Sequence, residues 1–329
     1  MSKFFNAYMI REEDGQRQSS LVQLQEADLP DEEVLVAIQY SGLNYKDGLA
    51  LCGQGIARRL PMVGGVDLVG EVVDGGSSDF KSGDKVLVNG WGLSELHWGG
   101  YSQFQRLKPD WLVRVPENFS ELETMAIGTA GYTAMLCVMQ LQANGVKPED
   151  GEIVVTGAAG GVGSVAISLL SKLGYHVVAS TGRPQTHDYL SALGATDFID
   201  RKSLSEPGKP FQAERWAGGI DTVGDTTLAN VLAQSKYQAV ITCCGLAGGA
   251  DLPASVLPFI LRGVRLIGVD SVMAPQAIRQ KAWDLLDKHL PREKLTELTQ
   301  VEPMSKLGSL AEDIIAGRIR GRVVIDVNS

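Results

Sequence analysis

A chain of 329 residues, 44% of them apolar, is long enough to bury one large domain or two ordinary ones. Its formal charge of −9, with acids and bases intermixed, opposes a phosphate backbone and argues against nucleic acid as a partner. No apolar run in the sequence approaches the roughly 18 residues needed to cross a bilayer. Met1-Ser2-Lys3-Phe4-Phe5, followed by polar Asn6 and by Arg11-Glu12-Glu13-Asp14, lacks the pattern of a signal peptide. No membrane partner is therefore expected, and the expected compartment is the cytoplasm. Cys52, Cys137, Cys243 and Cys244 show neither metal-ligand nor disulfide spacing and are expected as buried thiols.

The first ~120 residues read mainly as strands and turns. Val34–Ile38, Val69–Val73 and Lys85–Val88 are short apolar strand signals set among Gly, Asp, Ser and Pro. Ser120 with Glu123 then forms a capping-box pattern, and a further helical stretch runs from about Thr129 to Gln142, with Gly145 as its stop. From Gly151 onward strands and helices alternate. Ile153–Thr156 is a buried-strand run. Val162, Ala166, Leu169, Leu170 and Leu173 recur at helical spacing, and Gly174 stands where a terminating glycine belongs. Further strands are predicted at 175–180, 197–199, 220–223, 239–242 and 264–267. The Pro- and Gly-rich segment 203–219 reads as a loop, and 321–327 as a final strand returning to the N-terminal domain. This alternation predicts an α/β doubly wound parallel sheet behind a mainly β N-terminal domain. The expected boundaries are 1–122, 123–272 and a connecting segment 273–329.

Thr156-Gly157-Ala158-Ala159-Gly160-Gly161-Val162-Gly163 follows a predicted strand and opens a predicted helix. That setting turns backbone N–H groups and the positive helix end toward a pyrophosphate, and glycines at 160 and 163 permit close approach. At the next strand end an NAD site places an acid against the ribose 2′-hydroxyl. Here the residues are Ser180-Thr181-Gly182-Arg183, with no carboxylate before Asp188. A carboxylate repels a 2′-phosphate, whereas Arg183 and the hydroxyls bind it, so the expected cofactor is NADPH. A short-chain dehydrogenase is excluded: none of the eight tyrosines has Lys four residues later, and the glycine loop lies too far along the chain.

A β-rich domain, a nucleotide-binding domain and a return strand together resemble the medium-chain dehydrogenase/reductase superfamily, with its GroES-like and Rossmann domains. Within that frame, four stretches resemble the acrylyl-CoA reductase group of the quinone oxidoreductase-like enzymes. They are Leu43–Asp47, Gly90-Trp91-Gly92 leading to His97–Gly100, Gly128–Ala134, and Gly268–Val272. The resemblance implies NADPH-dependent reduction of acrylyl-CoA to propionyl-CoA by a homodimer. Zinc-dependent relatives place Cys and His-Glu in the segments matching Asn44 and Val66-Asp67. Asn44 and Val66 offer neither thiolate nor imidazole, so no metal is expected.

Hydride addition to an enoyl thioester throws negative charge onto the carbonyl oxygen, which calls for hydrogen-bond donors and then a proton. The resemblance places Asn44, Tyr45 and Lys46 at the reaction centre, with Tyr45 also a candidate contact for the cofactor and Asp67 beside the former metal position. Each has a structural reading as well: Asn44 as a turn residue, Lys46 as a partner of Asp67, Asp67 as a loop anchor. Thr222, Leu246 and Ser271 follow strand ends and are expected to face the nicotinamide. Trp91 and Trp98 are candidates to line the substrate site, or else core residues. Arg58, Arg59 and the group Arg318, Arg320, Arg322 are candidates for the phosphates of a CoA ester. Two other functions fit the sequence: a quinone or enone reductase on the same fold, and a non-catalytic NADPH-binding redox sensor.

Overall fold

Asp14 and Gly15 take positive φ angles of 51° and 75°, the geometry of a two-residue hairpin turn whose twist matches its strands. They join β1 (Phe5–Glu13) to β2 (Gln16–Leu24), with Glu13 opposite Gln16. This hairpin opens the computed structural model, which describes residues 4–329. Then come β3 (Val34–Leu43), α1 (Tyr45–Leu51), β4 (Met62–Val63), β5 (Asp67–Asp74), β6 (Lys85–Asn89), β7 (Phe104–Leu107), β8 (Val113–Arg114) and α2 (Glu121–Ala143). β9 (Glu152–Val155), α3 (Gly161–Lys172), β10 (His176–Thr181), β11 (Asp197–Asp200), β12 (Trp216–Asp221), β13 (Ser235–Cys243) and β14 (Arg265–Gly268) form the middle of the chain. β15 (Thr299–Pro303) and β16 (Arg322–Asp326) come last.

The chain folds into two compact units. The first runs through Thr129 and takes in Ser271–Asp287 and Leu295–Ser329; the second is Ala130–Asp270 with Lys288–Lys294.

The first unit holds a three-stranded sheet, β2-β1-β4, and a seven-stranded one, β15-β16-β3-β5-β6-β8, with β7 also on β3. Val34, Val36 and Ile38 recur at the strand period of two and are buried with Ile10, Leu43, Met62, Leu68 and Tyr101 in one core. Burying such an aliphatic side chain contributes about 1.5–3 kcal/mol. β16 inserts between β15, parallel to it, and β3, antiparallel, with Val323 opposite Leu43. The last strand of the chain is thereby laid beside the residues that precede Asn44.

The second unit is a parallel six-stranded sheet in the order β11-β10-β9-β12-β13-β14. The order reverses between β9 and β12, and that switch point opens a crevice at the carboxyl ends of the strands. Val154, Val178, Trp216, Val231 and Ile241 form its core. The expected doubly wound sheet and β-rich N-terminal region are both present.

Three local expectations need correction. The segment expected as a loop over 203–219 contains the end of a short helix, Lys202–Ser205, and the start of β12 at Trp216. Gly218 and Gly219 hide that strand in the sequence. They are needed because a Cβ there would sit 3.0 Å from Ile153 Cδ1 or 2.9 Å from Val154 Cγ1 on the neighbouring strand. Of the four thiols expected to be buried, Cys137 is; Cys52 is exposed, and Cys243 and Cys244 are half-buried. Finally, α2 is 23 residues long and apolar enough by composition to pass as a membrane span. It is nonetheless a core helix, with 78% of its apolar window buried and a break at Gly128 (φ 50°, ψ −157°).

Candidate active site

In the second unit, β9 turns into α3 through the glycine loop. Gly160 is the N-cap of α3 and carries no capping side chain. The first intrahelical bond comes from the Ser164 N–H to the Gly160 carbonyl. The N–H groups of Gly161, Val162 and Gly163 therefore lie on the open first turn, with the positive end of the helix dipole behind them. A Cβ at Gly163 would approach Ala158 Cα within 2.7 Å, so only glycine lets the helix pack this closely on the loop. The loop is braced from β12. Thr156 Oγ1 donates to buried Asp221 Oδ1 at 2.7 Å, and the Val223 and Gly224 N–H groups donate to Asp221 Oδ2. Burial pushes the Asp221 carboxyl above its ordinary pKa. Thr222 returns the contact, its hydroxyl donating to the Thr156 carbonyl at 3.0 Å. That hydroxyl, expected at the nicotinamide, is engaged in holding the loop.

β10 ends at Ser180 and Thr181, both buried, and Thr181 Oγ1 accepts the Arg183 N–H. Gly182 is exposed. Arg201, just past β11, lies against it: a Cβ on Gly182 would fall 2.5 Å from Arg201 Nε and 2.8 Å from its Cδ. Arg201 is exposed and has no ion-pair partner among the described residues. The sequence reading missed this second cation because it lies 18 positions beyond Arg183; a basic residue directly after the following strand was the available signal. Leu246 is 55% exposed after β13. Ser271, expected on the nucleotide-binding domain, opens a segment of the first unit instead.

In the first unit, Asn44, Asp47, Asp67 and Arg322 form a buried polar cluster, none more than 9% exposed. Asn44 is the N-cap of α1 and shares a capping box with Asp47. Its Nδ2 donates to Asp47 Oδ2 and to Asp67 Oδ2, each at 3.1 Å, and its Oδ1 accepts from Arg322 Nη1 at 3.1 Å. Asp67 also accepts the Gly42 N–H at 2.8 Å and the Thr129 N–H at 2.7 Å. The second bond explains the break in α2: the reversal at Gly128 frees the Thr129 N–H, and a Cβ at 128 would sit 2.6 Å from Arg322 Nη2. Arg322 donates further to the Ala126 and Leu43 carbonyls. It was expected at the surface among the cations for a CoA ester; the pairing of β16 with β3 buries it here instead. Burial lowers the pKa of its guanidinium, and Asp67 and Asp47 oppose that shift.

Burial and the nearby Asp67 charge push Asp47 up to about 7, against the N–H donors of Asn44 and Val66. Its neighbour Tyr101 donates to the Gly42 carbonyl and is itself raised by burial. Lys46, read as a partner of Asp67, binds Glu95 at 2.7 Å; the other Glu95 oxygen takes Arg58 at 2.9 Å. Tyr45 is partly exposed and its hydroxyl has no partner among the described residues.

Of the remaining substrate candidates, Trp91 has φ 53° and lies under the Arg279 guanidinium, 4.8 Å from its ring centre. Trp98 donates to the Pro61 carbonyl at 3.0 Å, and with Arg59 it lines a cavity of the first unit. Arg318 is bound to Asp313, and Arg320 is exposed and partnered. Among the described residues, Glu152, His176 and Asp197 form a group with metal-ligand spacing on the starts of β9, β10 and β11. Arg215 holds Glu152 at 2.9 Å, and His176 holds Asp197 at 2.9 Å.

Comparison with known proteins gives the following matches. Residues 30–117 match the alcohol dehydrogenase GroES-like domain, and residues 161–288 match the zinc-binding dehydrogenase family. The chain is 50% identical to the acrylyl-CoA reductase AcuI of Ruegeria pomeroyi over 329 residues, covering 99% of this chain and 100% of that protein. The structure of Escherichia coli K-12 YhdH with bound NADPH superposes with a TM-score of 0.96 at 49% identity, covering 98% of this chain and 100% of that one. Bacillus subtilis yhfP with NAD bound superposes with a TM-score of 0.95 at 39% identity, covering 99% and 100%. A two-unit fold of this strand order, matched along its whole length at such identity, leaves one assignment: the chain belongs to the acrylyl-CoA reductase group of the medium-chain dehydrogenase/reductase superfamily.

Proposed function

We propose that this chain reduces the carbon–carbon double bond of acrylyl-CoA to give propionyl-CoA, with NADPH as reductant. Half identity along the full length to a protein named acrylyl-CoA reductase is the observation that carries the reaction. The cofactor is supported by the residues at the end of β10, where Arg183 follows Gly182, Arg201 lies against it, and positions 180–187 carry no carboxylate. When bound, NADPH supplies a hydride to the β-carbon of the alkene. One proton from solvent completes the balance.

The chain's own residues hold and steer. The N–H groups of 161–163 bind the pyrophosphate, and Arg183 and Arg201 bind the 2′-phosphate. Charge developing on the thioester oxygen needs a donor that is already in place. Tyr45 has an unengaged hydroxyl beside a cluster that fixes its neighbours, and it is the donor in this reading. Asn44 and Asp67 position that segment, while Lys46 sets its charge together with Glu95. A zinc ion does not fit here. Asn44 and Val66 supply no thiolate or imidazole, the Asn44 amide is already bound on both sides, and the buried Arg322 guanidinium repels a cation. No step runs through a metal.

The protein works as a homodimer in this proposal, and β14 is the interface element. It is the outer strand of its sheet, and Val256, Ile260 and Leu261 near it are 57–69% exposed. Four free thiols suit a reducing compartment such as the cytoplasm. The second reading, a quinone or enone reductase, is favoured by the names of some relatives, among them the putative quinone oxidoreductase YhfP of Bacillus subtilis, 42% identical. Steady-state oxidation of NADPH with acrylyl-CoA and with 1,4-benzoquinone, each in EDTA, separates the two. The expected outcome is EDTA-insensitive turnover of the thioester; turnover of the quinone alone establishes the second reading.

A further inference from the structure

We infer that a cavity in the first unit, bounded by Arg59, His97, Trp98 and Trp111, takes the 3′-phosphorylated ADP head of coenzyme A. The inference rests on the thioester reading above and locates one end of that substrate. The cavity holds about 360 Å3, within the range of small-molecule sites.

Its walls supply what such a head requires. The Trp98 indole N–H is tied to the Pro61 carbonyl at 3.0 Å, which fixes the ring at the rim as a surface for a purine. His97 lies against Trp111, ring centres 4.8 Å apart. Burial and then Lys108 hold its imidazole below the ordinary histidine range. A neutral imidazole offers one donor and one acceptor to a base edge. The cations around the cavity differ in what they have left to give. Arg106 is bound to Glu26 at 3.0 Å, and Lys108 lies 3.8 Å from Glu32, offsetting the one acid that faces the cavity. Arg59 is exposed and makes no ion pair among the described residues. Its charge is available to a phosphate.

The position also suits a long substrate. Met62, in the cavity wall, stands four residues before Val66, whose N–H donates to Asp47 of the Asn44 cluster. Four residues span at most about 14 Å, within the reach of a phosphopantetheine arm and more than an acrylyl group covers. One acid links the two ends: Glu95 binds Lys46 of the reaction-centre segment and Arg58, the neighbour of Arg59.

The test is calorimetric titration of adenosine 3′,5′-bisphosphate into the NADP+-saturated full-length protein, for wild type, Arg59→Ala and Trp98→Ala. It is paired with KM values for acrylyl-CoA and for acrylyl-pantetheine, which lacks the head. The bisphosphate is expected to bind wild type. Arg59→Ala is expected to weaken that binding and to raise KM for acrylyl-CoA about tenfold, the loss of one charge-assisted contact. KM for acrylyl-pantetheine is not expected to follow. Bisphosphate affinity unchanged in both variants, or an equal rise of KM for both thioesters, overturns the site. If wild type turns over neither thioester, the thioester reading fails instead, while the titration still decides whether Arg59 and Trp98 hold a nucleotide head.

Discussion

A 2′-phosphate carries more than one negative charge at neutral pH, and Gly182 sits between two side chains able to meet it. Removing either cation costs one charge-assisted hydrogen bond, about 1.5–3 kcal/mol. Arg183→Ala and Arg201→Ala are each expected to raise KM for NADPH at least about tenfold and to leave KM for NADH nearly unchanged. Equal losses for both cofactors contradict the assignment. Asp47 gives a second expectation. Its pKa is raised from 3.8 to about 7 by burial and by Asp67, so the folded state holds a proton that the unfolded chain releases. A raised pKa contributes stability fully below the unfolded value, and that contribution is lost as pH rises through the folded one. Thermal stability is therefore expected to fall between about pH 4 and 7, with Asp47 adding up to about 1.4 kcal/mol per pH unit. Asp47→Asn is expected to flatten that part of the profile; an identical slope in the variant refutes the protonated form. The short-range half of this cluster was legible, since Asn44 and Asp47 are three residues apart. Arg322 was not: it reaches Asn44 across 278 positions, and no local pattern distinguishes a cation that a strand pairing will bury from one in solvent.

Elements were easiest to read where one residue dictates the backbone. The capping box at Ser120 forms as expected: the Ser120 N–H donates to Glu123 Oε2 at 2.8 Å and the Glu123 N–H to Ser120 Oγ at 3.2 Å. The hairpin at Asp14-Gly15 was not read from the sequence: the polar run 11–14 obscured β1, whose outer end is exposed. β12 was misplaced because its glycines have no side chain to show a period; they are required by the close approach of β9. The helical stretch expected from Thr129 does begin at a break, at Gly128; what was not legible is its cause, the Asp67 carboxylate that takes the Thr129 N–H from 62 positions away. Edge strands carry a consequence of their own. β14 ends the six-stranded sheet with its outer hydrogen-bonding row available to a second copy of the chain. Light scattering is expected to give twice the chain mass, and Ile260→Asp, at a side chain 69% exposed, to shift the protein toward monomer. A wild-type monomer at micromolar concentration would exclude this interface.

At the scale of the molecule, the alternation of strand and helix signals after Gly151 was sufficient to specify a doubly wound sheet, because parallel strands need crossover helices and a right-handed path. The glycine loop then marked the ligand end of that sheet. The chemistry on the substrate was less accessible, since a glycine loop and an arginine specify a cofactor and nothing about the acceptor of its hydride. Carbon–carbon double-bond reduction is the central claim, and isotope transfer tests it most directly. The protein is incubated with acrylyl-CoA and NADPH deuterated at the transferring C4 position, and the thioester product is then analysed by mass spectrometry and NMR. The account expects propionyl-CoA carrying the deuterium on its β-carbon. Unchanged acrylyl-CoA, or a product reduced at the thioester carbonyl, would contradict it.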